Sequence, residues 1–536
     1  MQLLALLVLY LAVPSNFLNV KRQRSYAKPA EKPVGKREIR SEWELNPQSN
    51  SHLNQTHLEL MTTTTCPPTA RLKRTPPVFH GPQNDRQKAV VAAFQHAWEG
   101  YKKYAWGHDE LRPVSMKSED PFELGLTIVD SLDTAIIMGL EKEANEAVEW
   151  IRDTLDVSPS KSVNLFETTI RILGGLLSGY HLTGETVLLE KATKLGDNLL
   201  KAFSKSKSPI PKSDVDLANG DAFSPNQDLS SLAEATTLQL EFRDLSWLTG
   251  DEKYERAAFG ASVHIHKNGC LKYDGLCQFY LKGNGEFKKS AITMGARADS
   301  YYEYLIKQWL QVKKSISWLR DDFIEAVNAI KKHLYRQSVP SGFWFVGEIT
   351  EYSQFYPKMD HLACFISGSL VLSHLNGLDE SGEHLEMAKN IGETCHRMYN
   401  NPTGLGPEII HFNMENSSDS SREDTYVKNN DAHSLLRPEA IEAWFYLFRA
   451  TGDKKYQEWG WEAFEAIEKF AKMESGGYTS IENVLRKKIK RRDKMESFFL
   501  AETLKYLYLL LADDQTILPL DRWVFNTEAH PLPLYS

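Results

Sequence analysis

Apolar and polar positions alternate with the period of an α-helix over most of the chain from about residue 85 onward. The first such stretch has large apolar side chains at three- and four-residue steps, namely Val90, Val91, Phe94, Trp98, Tyr101 and Tyr104. This spacing places them on one face of a helix. Shorter apolar runs in residues 343–346, 406–412 and 476–481 alternate or follow glycines, which predicts strands in small hairpins. The pattern therefore predicts a mostly helical domain over residues 85–536 with small β-hairpin insertions.

Regular connectors separate the helical segments. Thr-Gly-acid triplets begin at Thr183, Thr249 and Thr451, with spacings of 66 and 202 residues, and the second spacing is close to three times the first. Glycine suits the left-handed residue that ends a helix, and an acid favours the start of the next helix. One interpretation is a set of helical hairpins repeated around a ring. The other is that the triplet is merely a good helix connector.

The N-terminal residues differ from the rest in composition. Residues 3–13 form an unbroken apolar run of eleven residues, which is short for a membrane span of about 20 residues and suits the core of a signal peptide. Taken as one segment, residues 1–20 are alternatively a weak signal anchor. Residues 21–84 are polar and proline-rich, which predicts a disordered stem. Both interpretations place the remainder in the secretory pathway, as do possible glycosylation sequons at Asn54 and Asn416.

Composition narrows the classes of function. The net charge is −8, which argues against a nucleic-acid partner, and the sequence contains no phosphate-binding glycine motif. The five cysteines lack zinc-type spacing. In an oxidising compartment Cys364 would pair with Cys395 and Cys270 with Cys277, leaving Cys66 free; the alternative is that all five are reduced.

Residues 163–175 place charges inside an apolar run that predicts the start of a buried helix closed by two glycines. Glu167 and Arg171 are four residues apart, so they share one helix face. A satisfied core ion pair is the simple interpretation. However, further acids lie beside aromatic or aliphatic helix segments, namely Asp299, Glu439, Glu442, Glu496 and Glu502. Acids repeated among aromatic side chains indicate a carbohydrate cleft, with carboxyls for acid–base chemistry and rings for sugar stacking.

Eight motifs, in order along the chain, resemble those of the class I α-1,2-mannosidases, glycoside hydrolase family 47. They lie in residues 107–115, 126–134, 164–171, 295–304, 358–362, 436–439, 494–499 and 525–533. The resemblance implies an all-α fold, an (α/α)7 barrel, and inverting hydrolysis of terminal α-1,2-linked mannose. At the position of Arg297, the chain resembles the endoplasmic reticulum subtype of the family. That subtype converts Man9GlcNAc2 to Man8GlcNAc2 in N-glycan maturation and glycoprotein quality control. Glu123 departs from the family pattern.

The resemblance also implies roles for individual residues. Glu167 would be the general acid, acting through a water, and Glu439 the general base; Asp299 would be a third catalytic carboxyl, and which of Glu167 and Asp299 donates the proton stays open. Inversion requires an acid and a base on opposite faces of the sugar. Phe498 would stack on the mannose. The other implied substrate contacts are Arg171, Glu234, Arg297, His361 and Arg437.

The family binds one Ca²⁺, for which the resemblance implies Thr527 as the direct protein ligand. Waters held by Glu442, Glu502 and Glu528 would complete a shell of oxygens, the ligands that calcium prefers. Cys364 and Cys395 match the family's disulfide. Asp130 and Asp133 are expected to be structural caps or partners.

The expected partners are high-mannose N-glycans on glycoproteins, and the expected protein is a monomer. It would face the lumen of the endoplasmic reticulum or Golgi, attached to the membrane if residues 1–20 are not cleaved. A second hypothesis is a mannose-binding relative that marks misfolded glycoproteins for degradation with little hydrolysis. A third hypothesis is a helical scaffold whose cleft is catalytically inactive. That hypothesis predicts that some of the acidic residues are missing, and none of them is missing from this sequence.

Overall fold

The computed structural model describes residues 75–270, 273–415 and 423–534. Fourteen helices of seven or more residues lie within those ranges: α1 Asp85–Ala105, α2 Leu126–Ile137, α3 Glu141–Asp153, α4 Gly174–Thr183, α5 Thr186–Leu199, α6 Gln239–Thr249, α7 Lys253–Asn268, α8 Asp299–Gln311, α9 Ser317–His333, α10 Phe365–Leu375, α11 Glu383–Met398, α12 Glu439–Thr451, α13 Lys455–Phe470 and α14 Leu504–Leu510. Shorter helical pieces are Leu165–Glu167, Lys201–Ser204, Leu232–Thr236, the π-helices Thr168–Leu173 and Phe499–Thr503, and the 3₁₀-helix His361–Cys364.

The helices form two concentric rings. The even-numbered helices α2 to α14 each contact the next even-numbered helix, and α14 with its preceding π-helix closes the ring against α2. Each odd-numbered helix packs outside one of them, and α1 completes the seventh pair with α14. The predicted (α/α)7 barrel is thereby confirmed.

Burial explains which helices are inside. In the inner helix α8 every residue after Asp299 is buried. The outer helix α3 buries only a stripe at helical spacing, made of Glu143, Ala144, Ala147, Val148 and Ile151. A helix apolar on all sides must be enclosed, whereas an amphipathic one covers a core with one face.

The Thr-Gly-acid triplets join inner helices to their outer partners. They connect α4 to α5, α6 to α7 and α12 to α13, so the spacings of 66 and 202 residues are one and three hairpin steps. Gly184, Gly250 and Gly452 have φ of 79°, 74° and 67°, the left-handed conformation that glycine adopts without strain. The hairpin interpretation was therefore correct.

In the part of the chain that the structure describes, seventeen short strands, all paired antiparallel, lie on the barrel: β1 Glu110–Arg112, β2 Lys117–Glu119, β3 Ser162–Asn164, β4 Asp214–Asp216, β5 Ala222–Phe223, β6 Leu229–Ser231, β7 Tyr280–Lys282, β8 Phe287–Lys288, β9 Tyr335–Gln337, β10 Trp344–Val346, β11 Glu348–Ile349, β12 Phe355–Tyr356, β13 Lys358–Asp360, β14 Ile409–Phe412, β15 Thr425–Tyr426, β16 Trp523–Phe525 and β17 Pro531–Pro533. Pairing joins β1–β2, β3–β4–β5, β6–β7–β8, β9–β10, β11–β12, β13–β14–β15 and β16–β17. The strands predicted in 343–346 and 406–412 are β10 and β14. The strand predicted in 476–481 is wrong, because this segment makes only isolated bridges at Tyr478 and Ile481.

The segment 163–175 differs from its predicted form. Residues Thr168–Leu173 are π-helical rather than α-helical, and Gly174 and Gly175 begin α4 instead of closing a helix. A Cβ on Gly174 would lie 2.7 Å from Asn526 Nδ2, and one on Gly175 would lie 2.7 Å from the Val129 carbonyl oxygen. The glycines thus allow close approach of α2 and of the β16–β17 hairpin.

Several predictions fall on residues outside the described ranges. These are the N-terminal signal or anchor, the stem up to residue 74, Cys66, and the sequons at Asn54 and Asn416. Among the helices that the structure describes, none is both long and apolar enough to cross a membrane.

Candidate active site

The candidate site lies at the barrel end where the inner helices begin. Glu234, Asp299 and Glu439 occupy the first turn of the helical segments that start there, and Glu167 precedes α4 in the same way. The N-terminus of a helix carries partial positive charge, so carboxyls are favoured at this position. The barrel therefore gathers acids from separate parts of the sequence at one mouth.

Glu439 is held as a carboxylate by its neighbours. His361 Nδ1 lies 2.7 Å from Glu439 Oε2, and His361 Nε2 lies 3.0 Å from the Tyr399 hydroxyl. Burial alone would raise the pKa of Glu439, but the hydrogen bond from His361 and the charge of Arg437 outweigh it and lower the pKa. Burial raises the pKa of Tyr399, so its hydroxyl keeps its proton and donates to Nε2, which leaves Nδ1–H to donate to Glu439.

The ring of Phe498 has two arginines beside it, each close to a carboxyl. The guanidinium carbons of Arg171 and Arg437 are 5.5 and 5.6 Å from the centre of its ring. Arg171 Nε donates to Glu167 Oε2 at 2.8 Å, and Arg437 Nη1 is 3.9 Å from Glu439 Oε1. Each of the two acids therefore pairs with an arginine that contacts the same aromatic ring.

Asp299 has a different environment from Glu439. Its Oδ1 accepts a hydrogen bond of 2.8 Å from the backbone N–H of Ser300. Desolvation by burial, with the nearby negative charges of Glu303 and Glu439, raises the pKa of Asp299 to about 7. A carboxyl that keeps its proton near neutral pH can act as a proton donor.

The β16–β17 hairpin carries Thr527 into the barrel. Thr527 Oγ1 donates to Glu303 Oε2 at 2.7 Å, and its backbone N–H lies 3.4 Å from the Tyr304 hydroxyl. Asn526 Nδ2 donates to Glu241 Oε1 at 2.8 Å. The inner helix α8 thus fixes the tip of this hairpin from one side.

Acids crowd around this tip. Burial raises the pKa of Glu442 to about 8, and the negative charges of Glu303 and Glu439 add to this effect. The positive charge of Lys307 opposes it but does not outweigh it. Burial and neighbouring carboxyls also raise the pKa values of Glu502 and Glu528 well above their usual range. Within the described residues, no three His, Cys, Asp or Glu side chains are arranged to bind a metal directly. The raised pKa values indicate that negative charge is poorly compensated in this region. A cation whose ligands are mostly waters would relieve the repulsion between these carboxyls.

A buried polar network supports Arg171 from below. Arg171 Nη1 donates to Glu528 Oε1 at 2.7 Å and to Ser497 Oγ at 3.1 Å, and Ser497 donates to Asp130. His530 bridges two carboxyls: its Nε2 lies 3.1 Å from Asp130 Oδ1, and its Nδ1 lies 2.8 Å from Asp133 Oδ2. Asp130 and Asp133 lie within α2 and are interaction partners, not helix caps.

The remaining predicted contacts lie at the sides of the mouth. Arg297 has φ of 81°, and its guanidinium is 5.1 Å from the ring centre of Tyr280. Glu234 Oε1 accepts from Asn164 Nδ2 at 3.0 Å, and Glu234 also completes a capping box with Ser231. Asn164 Oδ1 also accepts from the backbone N–H of Glu167 at 3.0 Å, which places Glu234 beside this acid.

Comparison with known proteins identifies the family of this chain. The model of the family described as Glycosyl hydrolase family 47 matches residues 93–534. The chain belongs to this family. It is 48% identical over 497 residues to the human endoplasmic reticulum mannosyl-oligosaccharide 1,2-alpha-mannosidase, covering 92% of this chain and 69% of that protein. It is 40% identical to human mannosyl-oligosaccharide 1,2-alpha-mannosidase IB, covering 84% and 70%.

A solved structure supports the family 47 fold directly. The α-1,2-mannosidase from Trichoderma reesei superposes with a TM-score of 0.78 at 29% sequence identity, covering 85% of this chain and 100% of that one. The family 47 chain also contains the expected disulfide between Cys364 and Cys395, with Cα atoms 6.1 Å apart. Cys270 and Cys277 form a second pair, with Cα atoms 4.6 Å apart.

Sequence analysis missed several residues of this family 47 site. Glu303 and Lys307 follow Asp299 at successive four-residue steps on α8, and this spacing could have shown that all three face the same side. Tyr399 and Glu408 gave no such signal, because they lie in connections far in sequence from Glu439 and Arg437. Arg437 Nε donates to Glu408 Oε2 at 2.7 Å. Glu123, unexplained in the sequence, pairs with Lys161 at 3.2 Å.

Proposed function

We propose that this family 47 protein is a calcium-dependent, inverting α-1,2-mannosidase that removes a terminal mannose from high-mannose N-glycans, converting Man9GlcNAc2 to Man8GlcNAc2. The single observation that carries the proposal is that Phe498 lies beside two arginines, Arg171 and Arg437, which pair with the carboxyls of Glu167 and Glu439 respectively. An aromatic face binds the apolar side of a sugar ring. Two acids flanking that ring can serve the leaving oxygen and the attacking water.

Glu439 is the proposed general base. Its lowered pKa keeps it ionised, and His361 fixes one of its oxygens, so Glu439 can accept a proton from a water on one face of the sugar. Tyr399 and His361 orient Glu439 and do not themselves touch the reacting atoms. Arg437, bound to Glu408, supplies a fixed positive charge beside the base.

Glu167 is the proposed proton donor to the leaving oxygen, acting through a water as the family resemblance implies. Asp299 is the other candidate donor, and its pKa near 7 supports a proton-holding role close to the reaction. Arg171 holds Glu167 in place, and the Ser497–Asp130–His530 network holds Arg171. Arg297 and Glu234 are proposed to bind neighbouring sugars of the glycan.

Thr527 is the proposed direct ligand of Ca²⁺, with Glu442, Glu502 and Glu528 holding its waters. The crowding of these carboxyls, with their raised pKa values, supports a fit between this region and a hydrated cation. Bound calcium would supply an oxygen-coordinating centre for sugar hydroxyls. Glu303 would then lose its hydrogen bond with Thr527 and would hold one of the waters, as Glu442, Glu502 and Glu528 would.

The alternative function, mannose binding with little hydrolysis, is not favoured. The candidate acids are all present at one mouth, and similar proteins are named as mannosidases. We also propose residence in the endoplasmic reticulum or Golgi as a monomer, with residues 85–536 in the lumen, residues 21–84 as a stem and residues 1–20 as the signal or anchor. The names of the relatives support the endoplasmic reticulum.

The test is digestion of Man9GlcNAc2 by the purified protein, with EDTA and then with calcium restored. We expect loss of one mannose, abolished by EDTA and recovered with calcium, and NMR of the first product should show inversion at the anomeric carbon. A matched pair of variants, Glu439→Gln and the outer-surface Glu458→Gln, separates the base from general effects of charge. Glycan binding without turnover in calcium would overturn the proposal.

A further inference from the structure

A strongly basic hairpin projects beside the mouth. Residues 485–492 contain six exposed cations and no acid, namely Arg486, Lys487, Lys488, Lys490, Arg491 and Arg492. They form the tip of a hairpin, residues 480–494, called here the basic hairpin. Backbone hydrogen bonds from Glu482 to Lys490 at 2.8 Å and from Ser480 to Lys494 at 2.9 Å hold its two arms together.

The basic hairpin is fixed to the barrel. Val484 is fully buried, and its N–H donates to the Ala432 carbonyl at 2.8 Å. Ile481 and Ser434 exchange two backbone hydrogen bonds of 3.0 Å. The cations next to these anchors are therefore held near one position, which reduces the entropy lost when a ligand binds them.

Most of the positive charge at the tip of this hairpin has no ion-pair partner among the described residues. Among the described residues, only Lys490 of the six cations makes an ion pair, with Glu482 at 2.6 Å. The surrounding domain is acidic, since residues 75–536 contain 52 Lys and Arg against 66 Asp and Glu. An anionic ligand is thus repelled by most of the surface and attracted to this tip.

The basic hairpin adjoins the catalytic residues. Its second arm continues into Ser497 and Phe498, and Lys494 Nζ at its base is 3.2 Å from Glu496 Oε2. Its first arm pairs with Ser434, three residues before Arg437. Both arms of the hairpin therefore lead from the tip to residues beside the proposed sugar position at Phe498.

We propose that the basic hairpin binds an acidic segment of the polypeptide that carries the glycan. This inference rests on the proposed mannosidase function. The high-mannose glycan is uncharged and cannot use the cations, whereas its carrier reaches the surface around the mouth. A bilayer bound at the tip would cover the mouth and obstruct a bulky glycoprotein. For this reason we favour an acidic polypeptide over an anionic membrane as the ligand of these cations.

The test compares one glycan in three forms: free, on a peptide with four Asp or Glu beside the glycosylated Asn, and on the same peptide with Gln or Asn in their place. At low ionic strength we expect the acidic glycopeptide to have a kcat/KM about five times that of the neutral one, an advantage lost at high salt. Lys487→Glu/Lys488→Glu should abolish this advantage and leave hydrolysis of the free glycan unchanged.

A matched control reverses an adjacent lysine pair elsewhere. Lys313→Glu/Lys314→Glu lies beyond the C-terminal end of α8, at the opposite end of the barrel from Asp299, and should keep the preference. Equal kcat/KM for acidic and neutral glycopeptides, or equal loss of the preference in both double variants, would overturn the inference. No hydrolysis of the free glycan by the wild-type protein would instead refute the proposed function.

Discussion

Replacing Tyr399 by Phe tests how the protein keeps Glu439 ionised. The hydroxyl of Tyr399 lies 3.0 Å from His361 Nε2, and His361 Nδ1 lies 2.7 Å from Glu439. Without the hydroxyl, His361 Nε2 loses this hydrogen bond, so the imidazole is held only through Nδ1 and is freer to turn away from Glu439. The ring is retained, so its packing against Trp444, with ring centres 5.5 Å apart, should survive.

The size of the effect follows from the hydrogen bond at risk. A hydrogen bond to a charged group contributes about 1.5–3 kcal/mol, and one pKa unit corresponds to about 1.4 kcal/mol. The pKa of Glu439 should therefore rise by about one to two units. Because a base works only when deprotonated, the acidic limb of kcat/KM should move to higher pH by the same amount.

The assay is the pH profile of kcat/KM for Man9GlcNAc2 with calcium present, measured for wild type, Tyr399→Phe and Tyr335→Phe. Tyr335 is the control because its hydroxyl accepts a hydrogen bond from Asn390 at 3.1 Å and lies outside the group around Glu439. An acidic limb at the same pH in all three proteins would refute the argument. A uniform fall in kcat/KM at every pH would show damage to the site rather than a shifted pKa.

Three further predictions follow from the structure. Thr527→Val should lose the calcium-induced rise in Tm, worth about 3 kcal/mol at a hundredfold excess over Kd, whereas Thr527→Ser should keep it; equal rises in both variants would exclude the Thr527 hydroxyl as a ligand. The raised pKa of Asp299 means that the folded protein binds more protons than the unfolded chain between about pH 4 and 7, so stability should fall as pH rises through this window, by up to about 4 kcal/mol. Asp299→Asn should lack that part of the slope in calorimetric Tm against pH, and parallel curves would contradict it. Cys364→Ser should lower the free energy of unfolding by about 3–4 kcal/mol, because the disulfide closes a loop of 31 residues; an unchanged urea midpoint would disprove this.

Much of the fold could be predicted from local patterns. The apolar positions at three- and four-residue steps give the helices, and the Thr-Gly-acid triplets give the turns between inner and outer helices. These features depend on backbone conformation and on burial of one face, which are encoded within about 20 neighbouring residues. The π-helix at Thr168–Leu173 was not predicted, and its Ile170 carbonyl accepts a hydrogen bond of 2.9 Å from the distant Asn526 Nδ2.

The acids at the mouth were predicted, but their protonation was not. Glu439 and Asp299 both begin inner helices, and nothing in their local sequence explains why the pKa of one is lowered and that of the other raised to about 7. The difference comes from His361 and Arg437 beside Glu439, and from Glu303 and burial at Asp299. Desolvation and charge–charge interaction act through space, so only the folded arrangement sets them.

The sequence by itself determined the helical hairpins, the acids and aromatic residue of the cleft, and through its motifs the resemblance to family 47. The tertiary structure decided which residues meet: Phe498 with Arg171 and Arg437, Thr527 with Glu303, and the basic hairpin with the mouth. Local patterns record the burial of each helix face. Contacts between residues hundreds of positions apart form only when the ring closes, because closure brings the first and last helices together.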